Sequence, residues 1–137
     1  MRKTTGLVSM LVLAGALSVP VASAHAASIP SDCRAKIKAA SGLNDKALDA
    51  SVGRKYLKAA DYNKSTWKKI TDAKAICRLG HDPRYVMDRL TVAYDSAREA
   101  RDHNLNAHYH HKPTERTRAI NAEERAKDQL KRAYGHA

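Results

Sequence analysis

Phenylalanine is absent from this 137-residue chain, and aromatic residues together make up only 5% of it. A core of stacked aromatic rings is therefore excluded. Six glycines and four prolines are too few for a collagen-like or low-complexity protein. No alternating run of β-branched residues predicts a strand. The reaction-bearing signatures Gly-x-Ser-x-Gly, His-Glu-x-x-His and the Gly-rich phosphate loop are all missing. The length allows one domain.

What the chain has is positive charge. Twenty-five Lys and Arg face 14 Asp and Glu, for a formal net charge of +11. The hydrophobic share of 43% is too high for a disordered tail.

The first residues read as a secretory leader. Arg2 and Lys3 precede an apolar stretch from Gly6 to Leu17, shorter than the roughly 20 residues a membrane span needs. Ala22-Ser23-Ala24 then offers small residues for cleavage after Ala24, and Ala24-His25-Ala26 offers a second cut after Ala26. Residues 1–24 are thus expected to be removed and 25–30 to form a flexible start. Residues 31–137 are expected to be a single helical domain with no transmembrane span, secreted or periplasmic. The two cysteines, Cys33 and Cys77, form an even pair in an exported chain and predict one disulfide. Closing that loop stabilises a fold by roughly 3–4 kcal/mol in the chain-entropy model.

The periodicity of the remaining chain is helical throughout and predicts an all-α bundle of four to five helices. The first is expected over 31–41, stopped by Gly42, and the second over 45–60, with Asn44 as cap and Gly53 inside it. A third is expected over 66–79. A fourth starts at Pro83 with Asp82 as cap and reaches about position 107. The fifth, 114–134, opens on Thr114, stops at Gly135, and has a thin stripe of Ala119, Ala122, Ala126, Leu130 and Ala133. That stripe suits either a core helix or a projecting C-terminal arm.

Charge is uneven along the sequence. Residues 33–78 carry twelve basic and four acidic residues, whereas residues 79–111 carry four basic and five acidic. Arg54, Lys55, Lys58, Lys64, Lys68 and Lys69 cluster around the second and third helices, near Tyr56, Tyr62 and Trp67. This pattern predicts a small cationic binding protein whose basic surface meets an acidic partner: a protein, an envelope polymer or lipid head groups. Nucleic acid is a poor partner for an exported protein.

A second reading comes from the histidines. His103, His108, His110 and His111 fall within nine positions at helical spacing, and neutral imidazole ligates Zn, Cu or Ni. Tyr109 beside them extends that alternative to haem. The adjacent pair His81-Asp82 after Cys77 resembles the His-Asp pair of secreted prokaryotic phospholipases A2. Here the spacing is one residue longer, Pro83 follows directly and no Gly-rich calcium loop precedes it. The sequence therefore leans away from an enzyme, and no cofactor is required by the leading reading.

Overall fold

The computed structural model describes the backbone of residues 12–137, with side chains from Ser28 onward. The expected leader, with its cuts after Ala24 or Ala26, falls outside the residues described with side chains. Four helices follow one another: α1 Val12–Val52, α2 Tyr56–Cys77, α3 Pro83–His110 and α4 Pro113–His136. Each packs on its neighbours in the order α1–α2, α2–α3, α3–α4 and α4–α1, which makes a four-sided up-and-down bundle. α4 is therefore a wall of the bundle and does not project. Among the described residues there is no strand, and no helix is long and apolar enough to cross a membrane.

One repeat explains all four helices. Buried positions recur at steps of three and four: Cys33, Ile37, Ala40, Asn44, Ala47 and Ser51 on α1, and Ala59, Asn63, Thr66, Ile70, Ala73 and Cys77 on α2. The same steps run through Val86, Leu90, Ala93, Ala97, Ala100, Asn104 and Ala107 on α3. Such spacing keeps one stripe of a helix on a shared axis. Alanine is the commonest of these residues, so the helix axes can approach closely.

Large aliphatic side chains gather at one end. Ile37, Ile70, Val86, Leu90 and Leu130 pack there with the Cys33–Cys77 disulfide, which ties α1 to the C-terminal end of α2. The opposite half of the core is polar.

Several expected boundaries are corrected. α1 runs through positions 25–30 and through Gly42, so the first two expected helices are one. A helical glycine costs about 1 kcal/mol relative to alanine, but breaking there would split the stripe that carries both Cys33 and Ser51. The break comes instead at Gly53, Arg54 and Lys55. There the Lys55 amide donates to the Ala50 carbonyl at 2.8 Å and the Arg54 amide to Ser51 at 3.1 Å. This is a Schellman cap, and it places Arg54 at the left-handed position with φ 58°. The last part of the expected second helix, 56–60, instead joins the expected third across 61–65 into α2.

Asn44 is not a cap but a fully buried residue inside α1. Asp82 makes no side-chain cap bond; its carboxylate lies 3.2 Å from His136 Nδ1, at the far end of α4. α4 begins at Pro113 and continues past Gly135 to His136, so neither Thr114 nor Gly135 bounds it.

Candidate functional site

The six expected contact cations are all exposed, but they do not form one patch. Arg54 and Lys55 sit in the α1–α2 turn. Lys58 lies 5.8 Å from the Tyr62 ring centroid, and both side chains line a groove against Lys46 and Asp49 of α1. Lys69 turns to Asp72 at 3.8 Å on its own helix. Lys64 and Lys68, four apart, share a stripe on the other flank of α2. Tyr56, Tyr62 and Trp67 are all half-buried.

The flank of α2 that meets α3 reads Ala60, Lys64, Trp67, Thr71, Lys74 and Arg78 at helical steps. The facing flank of α3 reads Met87, Thr91, Tyr94, Arg98, Arg101 and Leu105. Neither flank contains a carboxylate. The Lys74 ammonium donates to Thr91 Oγ1 at 3.0 Å and lies 6.0 Å from the Tyr94 centroid. Trp67 and Tyr94 approach to 6.4 Å between centroids. The Arg98 guanidinium lies 6.0 Å from the Trp67 centroid and 5.9 Å from that of Tyr94, and Arg101 lies 5.6 Å from Trp67. Rings and cations thus alternate along the seam.

On the two seams of α4 several side chains meet acids, although Arg89 donates to Gln129 and Arg116 to the Ser51 and Val52 carbonyls instead. Arg125 meets Glu99 at 2.9 Å and His103 meets Glu115 on the α3–α4 seam, while Lys127 meets Asp45 at 2.9 Å on the α1–α4 seam. Among the described residues, no ion pair crosses the α2–α3 seam. Arg101 does have a nearby acid, Asp102, at 3.6 Å on its own helix.

Lys74, Tyr94, Arg98 and Arg101 were not singled out from the sequence. Segment 79–111 sums to slight negative charge, with four basic residues against five acidic, yet Asp88, Asp95 and Asp102 occupy a different flank of α3. Counting charge by helical stripe, rather than by segment, separates the two flanks.

The four histidines are not brought together. His103 gives its Nδ1 to the Glu115 carboxylate, with Glu99 3.7 Å from Nε2. His108 stacks edge-on to Tyr109 at 4.8 Å between centroids. His110 ends α3, and His111 leaves it with φ 52°. Among the described residues, no group of three or more His, Cys, Asp or Glu is arranged to hold a metal ion. His81 is exposed, and its neighbour Asp82 is engaged by His136.

A second polar centre lies inside the bundle. Glu123 of α4 is fully buried. Its Oε1 accepts from Ser51 Oγ of α1 at 2.8 Å, Asn63 Nδ2 of α2 at 2.9 Å and Asn104 Nδ2 of α3 at 3.0 Å. Asn44 Nδ2 donates to the Glu123 backbone carbonyl at 2.9 Å. Oε2 has no partner, nor do the side-chain oxygens of Asn44 and Asn63. Burial pushes the Glu123 carboxyl above the ordinary range, and the three hydrogen bonds pull against that shift. The cage places no charged group on Glu123, so it fits a structural role.

Compared with known protein families, curated proteins and solved structures, the chain matches none.

Proposed function

We propose that this chain is a small exported cationic binding protein, secreted or periplasmic after loss of residues 1–24, that holds an acidic partner on a surface centred on α2. The observation that carries the reading is the α2–α3 seam, where Lys and Arg lie beside aromatic rings with no carboxylate crossing between the helices. Unneutralised cations raise the local concentration of an anion and speed its encounter. The disulfide and the leader-like start are in keeping with an oxidising compartment. Acidic protein, anionic envelope polymer and lipid head groups share the chemistry this surface would meet.

The test is capture on polyglutamate, on acidic-phospholipid vesicles and on an acidic polysaccharide at rising ionic strength. Lys64→Glu combined with Lys68→Glu weakens capture and flattens its salt dependence. Equal capture by parent and variant at every ionic strength removes the reading.

A further inference from the structure

We infer that the α2–α3 seam is a cradle for a linear anionic polysaccharide, seated across the Trp67–Tyr94 ring pair and held by Lys74, Arg98 and Arg101. The inference rests on the cationic-binding reading and narrows it to one seam and one polymer class.

Three features point to this occupant. The first is charge. Arg98 and Arg101 both lie within 6.0 Å of the same indole centroid, so two guanidiniums border one ring. Their mutual repulsion is relieved only in part, by Asp102 at 3.6 Å from Arg101 on the same helix, because the facing flank of α2 supplies only further cations. A carboxylate or sulfate placed between them accepts bidentate hydrogen bonds and relieves that repulsion.

The second is the state of the rings. With guanidiniums near the Trp67 ring from two positions and near the Tyr94 ring from one, and with both rings half-buried, a nucleobase has little open face to stack on. Binding of single strands depends on open aromatic faces. What the seam offers is a mixed floor of ring edges and charge.

The third is the hydroxyl content. Thr71 and Thr91 stand on the two lips, and both are exposed. Each already gives its own proton to a carbonyl one turn back, at 3.1 Å and 2.9 Å. The Thr71 oxygen therefore remains as an acceptor for sugar hydroxyls, alongside the Tyr94 phenol, while that of Thr91 already accepts from Lys74 and keeps one lone pair. Ser65, Lys68 and Thr71 continue the same surface into a shallow hollow beside Trp67 and Tyr94, where Asp72 is the one acid and already faces Lys69. A polymer of charged, hydroxylated rings matches this composition better than a bare phosphate chain, which has no use for hydroxyl acceptors or ring edges.

Trp67 is the sole tryptophan of the chain, so its fluorescence reports occupancy of the seam directly. The full chain is titrated with a sulfated oligosaccharide, a uronate oligomer, neutral dextran, inorganic polyphosphate and single-stranded DNA. The sulfated and uronate oligomers are expected to change Trp67 emission, with neutral dextran silent. Replacing both arginines (Arg98→Gln, Arg101→Gln) is expected to weaken binding by about tenfold or more, while Lys55→Gln with Lys58→Gln costs less than about threefold. Circular dichroism checks that each variant retains its helices. Polyphosphate or DNA binding more tightly than both glycans overturns the polymer class. Binding that survives loss of Arg98 and Arg101 but fails without Arg54, Lys55 and Lys58 overturns the seam and leaves the cationic reading standing. No response to any polyanion, by fluorescence or by calorimetry, sinks both.

Discussion

The Asn63 amide donates to Glu123 Oε1 at 2.9 Å, and these two residues stand on α2 and α4, helices diagonal to one another across the bundle. Ser51 and Asn104 reach the same oxygen from α1 and α3. One carboxyl oxygen thus fixes the register of four helices at once. The arrangement is lopsided, with three donors on Oε1 and none on Oε2. That asymmetry suits a neutral carboxylic acid, whose carbonyl oxygen accepts and whose hydroxyl oxygen offers a proton to a neighbouring acceptor.

Glu123→Gln is expected to stabilise the protein at neutral pH by about 1–2 kcal/mol, since an amide keeps the carbonyl and supplies a donor without a charge to bury. The pH dependence should change with it. Because the folded carboxyl binds its proton more tightly than the unfolded one, the parent loses stability as pH rises from the ordinary carboxyl range toward the raised folded value. The Gln variant should lack that loss. Glu123→Ala, by contrast, strands three donors and should cost about 3 kcal/mol or more. Urea unfolding of the three proteins across pH 4 to 8 decides the matter; parallel curves for parent and Gln variant would falsify the neutral-acid account.

The opposite sign is expected at Glu115. Its hydrogen bond from His103 leads the causes that hold its carboxyl below the ordinary value, ahead of the opposing cost of burial. Stability from this pair is present above the ordinary carboxyl range and is lost as pH falls through the lowered folded value. His103→Gln should move the Glu115 titration, followed by side-chain carbon NMR, back toward the ordinary range. An unmoved titration would mean that Arg118, at 3.1 Å, and Asn106 hold the charge without His103.

Much of this architecture was legible as helical periodicity, and the legible parts were the apolar ones. The Cys33, Ile37 and Ala40 stripe, the Val86 to Ala97 stripe and the α4 alanines all sit inside. What stayed hidden was the polar half of the core. Asn44 reads as a cap when only apolar residues are counted as stripe. Counted with Ser51, it continues the steps from Ala40 without a gap, and Gly42 then has no break to mark. Asn63 and Asn104 hide for the same reason. Arg98 and Arg101 were missed because net charge was taken by segment, which mixes opposite flanks of one helix.

Arg54 offers a test of the corrected boundary. It occupies the left-handed position of the α1 cap at φ 58°, one residue after the glycine that would fit there best. Left-handed geometry costs a side-chain-bearing residue roughly 1–2 kcal/mol. Arg54→Gly is therefore expected to raise stability by about 1 kcal/mol, read as a higher thermal midpoint. Were Gly53 inside a continuous helix, a second glycine would instead lower the midpoint.

The disulfide bears on both the fold and the compartment. Cys33 and Cys77 are buried beside Ile37, Ile70 and Leu90, in a core that otherwise relies on alanine. Small side chains bury little apolar area each, so the cross-link should carry a large share of the stability. Its sequence separation of 44 residues gives roughly 3–4 kcal/mol from loss of chain entropy in the unfolded state, against total stabilities of about 5–15 kcal/mol for ordinary domains. Denaturant titration with and without reductant on the same chain, free of any substitution, should show a midpoint shift of that size. A shift near zero would mean that the alanine-lined helices and the Glu123 cage suffice by themselves, and the need for an oxidising compartment would disappear. Thiol labelling of protein taken from its own host then addresses export: blocked cysteines fit a chain matured outside the cytoplasm, and freely reactive ones do not.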